Sequence, residues 1–168
     1  MPNWVRNKVT FGTDKVIKDC VVKIDGHKQF DFNKIIPMPH VLDDDGGGLD
    51  SLTQEQRLIF LKENDGCSDW YSWRLRFWGT KWNAAETVVT GKNEVVFDTA
   101  WSMPDEIYKA ISKKYHTTVE VEYADECIGD NCGMSVYENG EEVDYSQGTA
   151  RFAEKVWEYV NQKRRNMT

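Results

Sequence analysis

No apolar run in this chain of 168 residues approaches the roughly 18 residues needed to cross a bilayer, which excludes a helical membrane span. The start, MPNWVRNKVTFG, lacks the apolar core of a secretory signal, so the expectation is a protein that stays in the cytoplasm. Basic charge is short: 21 Lys and Arg against 28 Asp and Glu leave a formal net charge of −7. That balance repels a phosphate backbone, argues against direct nucleic-acid binding and favours basic partners. Histidine is scarce and scattered, at His27, His40 and His116. Of Cys20, Cys67, Cys127 and Cys132, only the last two are close, in CIGDNC, whereas zinc wants two such pairs or a pair with spaced histidines. Reduced thiols are expected.

Sites for catalysis are also missing. DDDGGG at 43–48 imitates the start of a calcium loop, yet Gln54 stands twelfth, where a bidentate carboxylate is required. There is no GxGxxG, phosphate loop or HExxH, and no supported Ser–His–Asp arrangement. No metal, cofactor or catalytic residue is therefore assigned, and the chain is not expected to be an enzyme.

What is present is a clear order of elements, in a length that suits one domain spanning 1–168. Trp4 to Phe11 alternates with the two-residue period of a half-buried strand. Thr13 or Asp14 can cap a short helix with Val16, Ile17, Cys20 and Val21 in one stripe. FDFNKIIPMP reads as a short extended piece stopped by Pro37 and Pro39, and residues 43–50 as a mobile loop. Thr53 to Gln56 forms a capping box, predicting a helix to about Lys62 with Leu58 and Leu61 inward. Ser68 or Asp69 can cap a further helix, where Trp70, Trp73, Arg74 and Phe77 make one row and Tyr71, Leu75 and Trp78 a second, implying burial from two sides. Gly79 ends it.

Thr87–Thr90, a GKN turn and Glu94–Trp101 predict a hairpin that presents Val95, Phe97, Thr99 and Trp101 on one face. Ser102, Pro104 and Asp105 start a helix to about Tyr115 with Ile107, Ala110, Ile111 and Tyr115 inward, capped by Ser102. Val119 to Tyr123 is a strand with a wet acidic face. The order β-α-β-β-α-β specifies an α+β fold, a ferredoxin-like antiparallel sheet with helices on one face. Its first crossover is enlarged by a helical insertion at about 30–80, and a hairpin around Asn139-Gly140 and a terminal helix from about Thr149 are added over about 132–165.

MPNWVRN, FDFNKIIPMP, WRLRFWGTKWNA and FDTAWSMPDEIYKAI, in that order, resemble the YubB ferredoxin-like family of plasmid- and phage-encoded accessory proteins, which includes Api-type phage proteins. The likeness runs from residue 1 to about 125. It implies a ferredoxin-like fold and a home on mobile elements, hence the cytoplasm of a bacterial host. Val5 departs from the Cys expected there, so no thiol role carries over.

Two sets of residues are candidates for binding. In FWGTKWNAAE, Lys81, Trp82 and Asn83 can stand exposed on a rigid platform for a peptide or a stacked base. Equally, Trp70, Trp73, Trp78, Trp82 and Trp101 can pack helix onto sheet, with Thr80, Asn83, Asp98 or Thr99 as indole partners. The second set is acidic: Glu120, Glu122, Glu141 and Glu142, within a run of carboxylates from 120 to 144, can imitate a phosphate path for a basic groove. The function expected is that of a small acidic binding protein of a mobile element, inhibiting a basic host protein in defence or nucleic-acid processing. The alternative is single-strand binding through aromatic stacking.

Overall fold

The computed structural model describes residues 2–43, 49 and 52–166, without the side chains of 164–166. Apart from Asp43 and Leu49, the loop expected at 43–50 lies outside the described residues.

The chain runs through β1 (Trp4–Phe11), α1 (Lys15–Cys20), β2 (Val21–Ile24), β3 (His27–Phe30), α2 (Gln54–Glu63) and α3 (Trp70–Phe77). It continues through β4 (Ala85–Val89), β5 (Glu94–Ala100), α4 (Asp105–Lys114), β6 (Val119–Asp125), β7 (Cys132–Glu138), β8 (Glu141–Gln147) and α5 (Ala150–Asn166). The main sheet has the order β4-β5-β1-β6-β7-β8, with every pair antiparallel. Its first four strands show the expected split βαβ arrangement: β5 lies between β1 and β4, and β6 flanks β1 on the other side.

β1 is central because its alternation is complete, with Val5, Asn7, Val9 and Phe11 all buried and their neighbours half-buried. On the buried side, Phe11, Phe30 and Phe97 stack in sequence, and Phe32 meets Trp78 edge-on. Asn7, fully buried among apolar groups, is satisfied throughout: its amide donates to the Val5 carbonyl and the Thr99 hydroxyl, and its Oδ1 accepts from Tyr108 at 2.9 Å. Burial, with Tyr137 and Asp105 nearby, pushes the Tyr108 phenol well above its ordinary range, so it remains a donor.

Several local expectations give way to packing. FDFNKIIPMP is not extended: Phe32–Lys34 is a 3-10 turn, because the Asp31 carboxylate accepts from the Asn33 amide and starts a turn. Ahead of it, β2 and β3 pair as a hairpin through Asp25-Gly26, both at positive φ. That pairing takes Val21 out of the α1 stripe. The capping box at Thr53 and Gln56 is present, but Leu58 is 64% exposed rather than inward, and Phe60 makes the core contact from α2. In α3, Trp73 is buried while Tyr71 and Leu75 are exposed, so the helix is covered from one side only. Ser102 does not cap α4, since its hydroxyl donates to the Gly79 carbonyl instead. Tyr108 joins Ile107 and Ile111 in the core, while Ala110 and Tyr115 are half-buried.

The largest correction concerns α5. Helices were expected on one face, but α5 crosses the other, packing Ala153 and Val156 against Ala124 and Cys132. The sheet is therefore covered on both sides around β1 and β6, and the wet acidic face of β6 is wet only at Glu120: Ala124 lies buried under the helix, and Glu122 is half-buried.

Candidate aromatic binding surface at one end of the sheet

β1 begins, β5 ends, β4 begins and β6 ends at the same edge of the sheet, because Trp4 pairs with Ala100, Ala85 with Asp98, and Val5 with Asp125. The connection between α3 and β4 passes over this end and is bolted at both of its own ends. Trp78, which closes α3, is fully buried, and its indole N–H donates to the Ile36 carbonyl, a main-chain partner rather than any of the expected side chains. Gly79 takes φ +77, and a Cβ there would come within 3.3 Å of the Asp105 amide, so both conformation and space require glycine. The Thr80 hydroxyl donates to the Ala100 carbonyl at 2.8 Å. At the far side, Asn83 Oδ1 accepts from the Phe32 and Ala84 amides, and its Nδ2 donates to Asp31.

Asn83 is thus a structural tie, whereas Lys81 and Trp82, between the bolts, face outward. The ammonium of Lys81 lies 4.5 Å from the Trp82 ring centroid, 5.1 Å from Trp101 and 5.8 Å from Tyr71, a cation held among three rings. Trp101 was expected inside with Thr99. The chain instead turns after Ala100, placing Trp101 at φ +68 and 41% exposed, with its amide donating to the Asn3 carbonyl and its carbonyl accepting from Asn131. Tyr71 meets Trp101 edge-on, and Trp4 lies 5.8 Å from Trp82, so the rings form one surface.

Beyond Trp4 that surface opens into a pocket of about 250 Å³ lined by Trp4, Ala85, Glu86, Asp98, Glu126 and Trp157. Three carboxylates meet there. Asp98 is committed to Arg6 through a bidentate pair at 2.9 Å, and one oxygen of Glu126 accepts from the Trp4 amide. Glu86 sits at φ +47 on the irregular stretch of β4, exposed. With Arg6 counted, the pocket carries two negative charges, Glu86 and Glu126, that have no ion-pair partner among the described residues, between tryptophan walls, an environment for a cation.

The acidic candidates lie elsewhere and are not assembled into one surface. Residues opposite in register share a face, and successive residues alternate. Glu120 pairs with Val136 and Glu122 with Met134, on the α5 side; Glu142 pairs with Tyr137, on the α4 side; Glu141, opposite Glu138, returns to the side of Glu120. Glu122 is already neutralised by Lys8 at 3.0 Å. Glu120, opposite Thr10, stands about 20 Å along the sheet from Trp4. Lys81 and Trp82 are therefore brought together with Trp4, Tyr71 and Trp101, residues not assigned to a site from sequence. The available signal was Trp4 on the outward side of β1, where an indole is an unusual choice for a merely wet face.

Residues 77–167 match the family described as the ferredoxin-like domain in Api92-like protein. Among solved structures, protein api92 from Yersinia pseudotuberculosis is similar, with 19% sequence identity and a TM-score of 0.52, a likeness of fold. The alignment covers 73% of this chain and 43% of that one, so this chain spans less than half of that protein's length. No curated protein matches the sequence.

Proposed function

The chain belongs to the family of ferredoxin-like domains in Api92-like protein, and from that premise we propose that it is a non-catalytic binding module that grips a basic protein partner through the aromatic end of its sheet. One observation carries the reading: a continuous surface of exposed or half-exposed rings, Tyr71, Trp101, Trp82 and Trp4, runs into a pocket with a net negative charge. Tryptophan on a rigid support is enriched among the anchors of protein interfaces, since it buries much area with little ordering cost. Lys81 fixes the rings in place beforehand, and Glu86 and Glu126 select a cationic side chain. Charge steers the encounter, because a net −7 attracts basic surfaces at a distance.

The same reading extends to the setting. A plasmid- or phage-encoded accessory protein, at work in the cytoplasm of a bacterial host, would use such a surface to occupy a defence or nucleic-acid-processing protein. The acidic balance of the chain and the YubB-like segments of its sequence support this. Single-strand binding is the second reading, favoured by the ammonium of Lys81 amid exposed rings. Against it stand the carboxylates of Glu86 and Glu126 at the edge of the same surface, which repel phosphates.

Tryptophan fluorescence of the purified protein, titrated in parallel with an arginine-rich peptide and a single-stranded oligonucleotide, separates the two. The peptide should bind at near-physiological salt, and Trp82→Ala should weaken it about thirty-fold, on the order of 2 kcal/mol. Binding of the oligonucleotide alone, lost in Trp82→Ala, would overturn the protein-binding reading.

A further inference from the structure

The two edges of the main sheet are finished differently. On β4, the Gln29 amide donates to the Ala84 carbonyl and the Thr87 hydroxyl accepts from the Phe30 amide, so β3 covers that edge. On β8, all seven residues from Glu141 to Gln147 are exposed, including Val143 at 55% and Tyr145 at 53%. The Tyr145 amide donates to the carboxylate of Asp144 at 2.9 Å, a local cover for one main-chain donor on an otherwise bare strand.

We infer that β8 is a docking edge for an extended, basic segment of a partner protein, which adds to the sheet as a further strand. The edge carries Glu141, Glu142 and Asp144 and no basic side chain. Two copies joined antiparallel through its centre would set Asp144 against Asp144 and bring no opposite charge to Glu141 or Glu142, which disfavours self-pairing. A segment alternating Lys or Arg with apolar residues reverses the sign. Its cations, all on one face, meet Glu141 and Asp144, which share the α5 side, and draw Asp144 off the Tyr145 amide; its main chain takes up the freed donor, and its apolar side chains cover Tyr145 on the other side. The inference does not rest on the aromatic surface, since β1 and β8 are three strands apart, about 14 Å.

The test uses the isotope-labelled full chain and the synthetic peptide Lys-Val-Lys-Thr-Lys-Val-Lys, with amide hydrogen exchange read by NMR. Exchange at Tyr145 and its neighbours in 141–147 should slow at least tenfold on saturation. The same peptide N-methylated at alternate residues keeps its charge but loses its donors, and should fail to protect them. The charge reversals Glu141→Lys and Asp144→Lys, at exposed positions, should abolish the effect while the circular dichroism spectrum stays unchanged. Equal protection by the N-methylated peptide would show attraction by charge alone and overturn strand addition. Absence of protection at millimolar peptide, or protection brought by raised protein concentration without peptide, would overturn it as well.

Discussion

The two faces of the main sheet are held by different physics. Towards α4, β1 presents Val5, Val9 and Phe11 to a packed interior of Phe30, Phe97, Trp78 and Ile107, where stability scales with apolar area removed from water. Towards α5, the same strand presents Arg6 and Lys8. The guanidinium of Arg6 pairs with Asp98, donates to the Trp157 carbonyl and lies 4.2 Å from the Trp157 ring; the ammonium of Lys8 pairs with Glu122 and lies 4.5 Å from the Tyr159 ring. The apolar cluster under α5 is small, Ala124, Cys132, Ala153 and Val156 with flanking Phe152 and Trp157. One face is held by area and tolerates little loss of volume. The other is held by directional contacts, each of modest worth, that fix where a helix lies.

This difference can be broken first on the apolar face. Trp78→Ala removes a fully buried indole and its bond to Ile36, and should cost about 3–5 kcal/mol in urea unfolding. On the other face, Asp98→Ala leaves the Arg6 guanidinium half-buried and unpaired, and should cost about 2 kcal/mol. Hydrogen exchange should show α5 opening before the rest of the sheet in this variant, but no such order in Trp78→Ala. The smallest effect sharpens the contrast through pH. Burial raises Glu94, but hydrogen bonds from Tyr159 and Thr90 and the charges of Lys8 and Lys163 outweigh it, so its carboxyl lies below the ordinary 4.5. A depressed folded value stabilises the folded state above the unfolded pKa, and that contribution fades as pH falls from about 4.5 through the folded value. Glu94→Gln should flatten this part of the acid-unfolding profile while leaving the profile between pH 7 and 9 unchanged.

The contrast between the faces also decides what could be read from sequence. The strands of the ferredoxin-like core were legible, since β1, β5 and β6 alternate or run apolar against one well-packed side. The position of α5 was not, because a face of Arg6, Lys8 and Glu122 looks solvated until the rings of Trp157 and Tyr159 are laid on it. The β2–β3 hairpin is hidden in the sequence for a different reason: its strands are four residues each and carry Lys23, His27 and Lys28, leaving Asp25-Gly26 as the single cue. In the candidate site, the aromatic richness of 77–82 was plain. Which rings are core and which are surface depends on Thr80 and Asn83 acting as bolts, and on the left-handed turn of Trp101, tertiary facts that no spacing encodes.

The central place of β1 also bears on how the protein comes to be folded. Its partners are far off along the chain: Arg6 meets Asp98 across 92 residues, and Trp4 meets Glu126 across 122. During synthesis β1 leaves the ribosome on the order of ten seconds before β6, its second neighbour, exists. Until then an alternating, half-apolar segment keeps at least one edge bare. Assembly would begin from the nearby pairs, β4 with β5 and β7 with β8, and β1, made well before its second neighbour, would be among the last to be locked in place.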